Sequence, residues 1–339
     1  MTNRATGASA AVFQQEELRL ETAKIVGTAM LKELRKIDIS YTLRDAGIIY
    51  VSLFGTLAVT CHLHSRFGWR ALLAAPILAL VCGVAFNWIN VQIHEASHYS
   101  LFANKRLNDV FCDLVLGALA LQDVQTYRST HGMHHSQLHT DRDPDLWTYS
   151  SHLGSVRETL VGLGRDLLLL SAFRRRRQVA EFLRLHCRGS RRAPKYSGPA
   201  KALAQSCVIA LLVGACGAWG LVYYVVIYLY GLLGVFPALI RVRTVVQHRE
   251  GQLDSRETPG LVAFTSRTTE APFWEFFLLG ARMDYHFEHH LHPNIPYYNL
   301  KKMHRILDSA GLFEAIRTRT GQELRTDDYV RTFVKLATA

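Results

Sequence analysis

The sequence contains cysteine but no cysteine pair. Its six thiols, Cys61, Cys82, Cys112, Cys187, Cys207 and Cys216, never stand as Cys-x-x-Cys. That argues against a zinc ribbon, a thioredoxin-like site and a cysteine-bound iron–sulfur cluster. Most lie in apolar runs, where a free cysteine behaves as a small hydrophobe. Residues 1–40 are polar and helix-prone and lack the apolar core of a cleavable signal peptide. Repeats and low-complexity linkers are also missing. Acidic side chains are in short supply: 28 Asp and Glu face 39 Lys and Arg, for a formal charge of +11. A basic chain suits nucleic acid or a membrane surface. No nucleic-acid motif or interleaved aromatic groove accompanies the charge, so no nucleic-acid partner is expected.

What the chain does have is long apolar runs almost free of charge. Residues 46–62, 71–89, 202–219 and 221–240 each approach the roughly 20 residues that a transmembrane helix needs. Short links join them two by two, giving two antiparallel hairpins. Residues 12–38 suggest an amphipathic helix on the protein or membrane surface. Residues 107–121, interrupted by Asp109 and Asp113, and the short Phe273–Gly280 stretch suit interfacial helices. Residues 151–201 are rich in arginine, including Arg174 through Arg177, and by the positive-inside rule belong to the cytoplasm. Contact with anionic lipid there is expected. Four spans then return the chain to its starting side, with both termini cytoplasmic.

Three histidine-rich stretches fall on that same side. His94 and His98 follow the second span at a spacing of four, so on a helix they face one way. His131, His134 and His135 form an HxxHH pattern, and His286, His289 and His290 form another. At this histidine content the pattern arises by chance about 0.04 times per chain, so two occurrences are a strong signal. Eight imidazoles exceed what one tetrahedral zinc can use, and two metals are the natural count. Nitrogen ligands alone leave iron, copper, zinc and nickel open. His248 is a ninth candidate, because it follows the fourth span much as His94 follows the second. Asp284, Glu288, Glu95 and Gln247 are placed to accept hydrogen bonds from ligand N–H groups. His62 and His64 lie at the far side of the first hairpin. His152, His186 and His304 stand alone and are expected to be bystanders. His139 and His292 lie outside the spacing and are expected to form hydrogen bonds.

The set HEASH, HGMHH and HFEHHLHP, in this order after apolar hairpins, resembles the membrane fatty-acid desaturase and hydroxylase superfamily over roughly residues 45–305. The resemblance implies an all-α integral membrane protein of four transmembrane helices in two hairpins, with a cytoplasmic helical cap holding a histidine-rich dimetal site. It implies two non-haem irons, O2 as co-substrate and a fatty acyl or lipid chain as substrate. Carried over by position, His94, His98, His131, His134, His135, His286, His289 and His290 are iron ligands, and His248 matches an extra histidine after the fourth span. No catalytic side chain beyond the metal site is implied. The HPGG signature of a fused cytochrome b5 is missing, so a separate ferredoxin, rubredoxin or cytochrome with its reductase is the expected electron donor.

The expected organisation is an amphipathic N-terminal segment over 1–45, the membrane domain over 46–305 and a C-terminal tail over 306–339. The expected reaction is desaturation. A hydroxylase, or an oxidative decarboxylase forming a terminal alkene, would share the histidine pattern. A histidine-rich metal transporter fits less well, because a transporter carries ionisable groups inside its spans.

Overall fold

The computed structural model describes residues 17–138, 142–146, 156–171, 193–248, 266–280, 283–321 and 323–338. Among them the chain is helical apart from two strands of two residues each. It divides into two compact units, and both are discontinuous in sequence. One comprises 38–129 and 161–240; the other comprises 1–37, 130–160 and 241–339.

The first unit holds most of the apolar runs. Asp38 starts its first helix, Ile39–Phe67, by accepting a hydrogen bond from Ser40 N at 3.0 Å. Twenty-nine residues make a rod of roughly 43 Å, ample for a hydrocarbon core of about 30 Å. The helix stops at Gly68, whose φ of 58° glycine adopts without strain. A turn of 3₁₀ helix over Gly68–Ala74 reverses the chain, and Pro76 opens the next helix, Ala75–Ser97. The two helices pack along one another. Ala75–Ser97 is buried at every residue from Cys82 onward. It also packs against Tyr224–Leu229 and Gly231–Val235, which are wound as wider π turns. Glycine makes that approach feasible: a Cβ on Gly83 would lie 2.4 Å from Val235 Cγ1, and one on Gly231 would lie 2.7 Å from Cys82 Cβ.

Three helical stretches are long and apolar enough to cross a membrane: Thr28–Ser97, Ser197–Cys216 and Trp219–His248. The four expected runs occupy these three, because the first stretch contains both the Ile39–Phe67 and Ala75–Ser97 helices. Val51, Leu73 and Ile77 point outward at 75%, 81% and 69% exposure, a choice of surface that suits lipid. The expected interfacial run at 107–121 is a short helix, Lys105–Phe111, continued by a π turn over Cys112–Gly117.

In the second unit the N-terminal amphipathic region is two helices, 17–26 and Thr28–Leu34, parted at Gly27 with φ 81°. Residues 12–16 of that expectation lie outside the described residues. Asn299 Nδ2 donates to Leu34 O at 2.8 Å and ties this segment to the Tyr297–Ser309 helix. Strand Thr268–Thr269 pairs in parallel with Arg325–Thr326 and bridges to Tyr285. Tyr285 is the N-cap of the helix His286–Leu291, which packs against Thr268–Thr269. Leu312–Thr320 and Tyr329–Thr338 complete the unit.

Candidate metal centre

Four helices carry the nine candidate histidines. Val124–Gln137, capped by Asp123 accepting from Thr126 N at 2.9 Å, bears His131, His134 and His135. His286–Leu291 bears His286, His289 and His290, and His248 closes Phe236–His248. His94 lies in the last turn of Ala75–Ser97, with His98 as its C-cap.

Within the second unit the two HxxHH segments interleave. His134 joins His248, His286 and His290, whose nitrogens all lie within 4.8 Å of one another. His131 and His135 instead meet His289: the Nε2 atoms of His135 and His131 are 2.9 Å apart, and those of His289 and His135 are 3.1 Å apart. Each motif thus gives its i,i+4 pair to one cluster and its i+3 histidine to the other. All seven histidines are buried except His135, which is half-buried.

The four-histidine cluster is a poor hydrogen-bond network and a good metal site. His248 Nε2 lies 3.3 Å from His134 Nε2 and 2.8 Å from His286 Nε2, and the latter lies 3.1 Å from His290 Nε2. A ring nitrogen offers one proton or one lone pair, so His248 Nε2 cannot make two full hydrogen bonds. A cation satisfies all four at once. Two nitrogens bound at about 2.1 Å stand about 3.0 Å apart at a right angle and about 3.4 Å apart at a tetrahedral angle. The three separations of 2.8, 3.1 and 3.3 Å lie close to that range. Burial holds His286 and His290 well below the ordinary histidine range, which keeps them neutral, the state in which imidazole can take a metal. His134 is also buried, but the Asp143 carboxylate outweighs burial and raises it.

Asp143 is a contributor that the sequence did not reveal. Its Oδ1 lies 2.9 Å from His134 Nδ1, fixing the tautomer that leaves Nε2 to face the cluster. The only hint was a carboxylate-rich run, Asp141 to Asp145, shortly after the motif. Of the four acceptors expected from sequence, Glu95 fits, with Oε1 3.1 Å from His94 Nδ1. Glu288 does not: it is fully buried and takes His304 Nδ1 at 2.5 Å together with the Thr268 hydroxyl. On so short a helix it sits two positions from His286 and one from His289, so it faces away from both. Gln247 donates its amide to Met283 O at 2.7 Å, and Asp284 offers its backbone carbonyl to Thr269 N at 2.7 Å.

In the first unit His94 is buried and His98 half-buried, with ring centroids 5.1 Å apart. Burial first, then the Arg128 charge, brings His98 down to about 4. Arg128 fastens this helix end. It donates to Ala96 O and Ser97 O, each at 2.9 Å, pairs with Asp109 at 2.6 Å and stacks 4.0 Å over Tyr99. Asn108 adds a 2.9 Å bond to Ala96 O. Among the other histidines, His292 bonds Thr22 Oγ1 at 3.0 Å as expected, and His64 lies 2.8 Å from Tyr223 OH. His304 is no bystander, because it is buried against Glu288. His139, His152 and His186 and the Arg174–Arg177 cluster lie outside the described residues.

No curated protein matches the chain. A family model described as fatty acid desaturase matches residues 68–318 of the 339. That range contains every candidate ligand, both interleaved motifs and the apolar helices from Ala75 onward. The chain belongs to the fatty acid desaturase family.

Proposed function

We propose that this membrane protein is an O2-dependent oxidase with two non-haem irons that introduces a C=C bond into a fatty acyl chain. One observation carries the reading: two HxxHH segments exchange histidines to form two separate imidazole clusters in one unit. His134, His248, His286 and His290 would hold one iron. His131, His135 and His289 would hold the other, and the family's histidine pattern proposes His94 and His98 as further iron ligands. The i,i+4 spacing of that last pair, its burial and its seat at the end of an apolar helix support their inclusion. When bound, the iron pair supplies, with O2 and external electrons, the oxidising power that an unactivated C–H bond requires. The chain supplies His286 and His290 as imidazoles that burial keeps neutral, while Asp143 and Glu95 orient His134 and His94. Burial also keeps bulk water from the clusters.

The electrons come from a separate ferredoxin, rubredoxin or cytochrome with its reductase. The four apolar helices form two hairpins with the histidines and both termini in the cytoplasm. Reporter fusions at residue 180 and at the C-terminus should then read cytoplasmic, and one at residue 66 the opposite side. Membranes containing the protein, given a panel of acyl substrates, O2 and a reductase system, should yield a product lighter by two hydrogens. A gain of oxygen or a loss of CO2 would contradict desaturation and assign a hydroxylase or a decarboxylase.

A further inference from the structure

The helix His286–Leu291 has a demanding task for its size. Its six residues carry three candidate ligands and divide them between two clusters. Fewer than two turns of helix have no stability of their own in water, so packing must set its rotation about its axis. A rotation of one residue, about 100°, would turn every imidazole away from its cluster.

On the side facing away from the clusters the helix presents Glu288, which is 0% exposed. Its two oxygens are taken by different elements. His304 Nδ1, from the Tyr297–Ser309 helix, lies 2.5 Å from Oε1, and Thr268, from the small sheet, donates its hydroxyl to Oε2. Each holder is itself fixed. The His304 ring lies 4.9 Å from Phe313 and 5.3 Å from Tyr285. Thr268 N donates to Leu324 O at 2.8 Å, and Thr269 N to Asp284 O at 2.7 Å. A carboxylate gripped at both oxygens cannot swing, and neither can the short helix that bears it.

We propose that Glu288, His304 and Thr268 form a buried positioning triad that sets the rotation of the His286–Leu291 helix and so apportions its histidines between the two metal sites. None of the three is a metal ligand, and the inference rests on the dimetal reading. The test uses full-length protein in detergent loaded with cobalt(II), whose visible spectrum reports coordination without turnover. Wild type should take up two cobalt ions per chain. His304→Ala should fold and load, show altered band positions and intensities, and release both ions to a chelator about 10- to 100-fold faster. Thr268→Val, which removes only the hydroxyl, should do the same should His304→Ala not fold, and Thr268→Ser should restore the wild-type spectrum. A triad that merely stabilised the fold would lower the melting temperature and leave the loaded spectrum unchanged. An unchanged spectrum and release rate in both variants, with two ions in wild type, overturns the triad alone. Fewer than two ions in wild type overturns the dimetal reading and the triad with it.

Discussion

The same histidine spacing stands on two different supports. Val124–Gln137 is a fourteen-residue helix with its own cap, and its extra help is directed at a ligand: Asp143 fixes one imidazole, His134. His286–Leu291 has six residues, and its help comes from behind, through Glu288, to the helix as a whole. A helix long enough to hold its own shape needs only its ligands oriented. One too short for that needs its axis held. With a metal in each cluster, as proposed, damage at Asp143 should be local to one metal and damage behind Glu288 common to both.

The largest effect should come from removing one cluster's paired histidines. His286→Ala/His290→Ala should leave one metal per chain and lower turnover beyond the roughly 100-fold upper end seen for residues that only support a ligand. Because the motifs interleave, the surviving metal should be the one held by His131, His135 and His289. Loss of both metals would show that the clusters are not separate sites. His248→Ala comes next: it should lose most turnover and part of the metal while remaining membrane-inserted. Wild-type turnover with full metal would remove His248 from the ligand set. Asp143→Asn should cost about 10- to 100-fold in the affinity of one metal and leave the release of the other unchanged. Two-phase chelation kinetics would display this, against the uniform acceleration expected for His304→Ala. The smallest effect belongs to the other unit. A Cβ on Gly220 would lie 2.4 Å from Leu212 C and O, so Gly220→Ala should cost about 1–3 kcal/mol of stability. Its melting temperature should fall while the metal-to-chain ratio stays at two.

Composition alone made the apolar helices legible, because a run of some twenty uncharged residues has few other uses. The candidate histidines were legible because their spacing repeats. Their partition was not. An i,i+3,i+4 set covers one broad helix face, and which ring turns to which cluster depends on helices distant in sequence. Asp143 was hidden among neighbouring carboxylates, and only the fold selects it. His304 looked solitary because its partner is sixteen residues earlier, inside a motif whose histidines drew the attention. Glu288 carried the opposite error: its place between ligands suggested that it served them, whereas helix geometry turns it away. The π turns at Tyr224–Leu229 and Gly231–Val235 leave no clear mark in hydropathy, since their residues are apolar throughout.

The measurement closest to the central claim is the metal content of the purified full-length protein, loaded anaerobically with ferrous iron and measured by mass spectrometry against quantitative amino-acid analysis. Two interleaved imidazole clusters require about two irons per chain, falling to about one in His286→Ala/His290→Ala. One zinc and no iron in the wild-type protein would contradict the two-site oxidase.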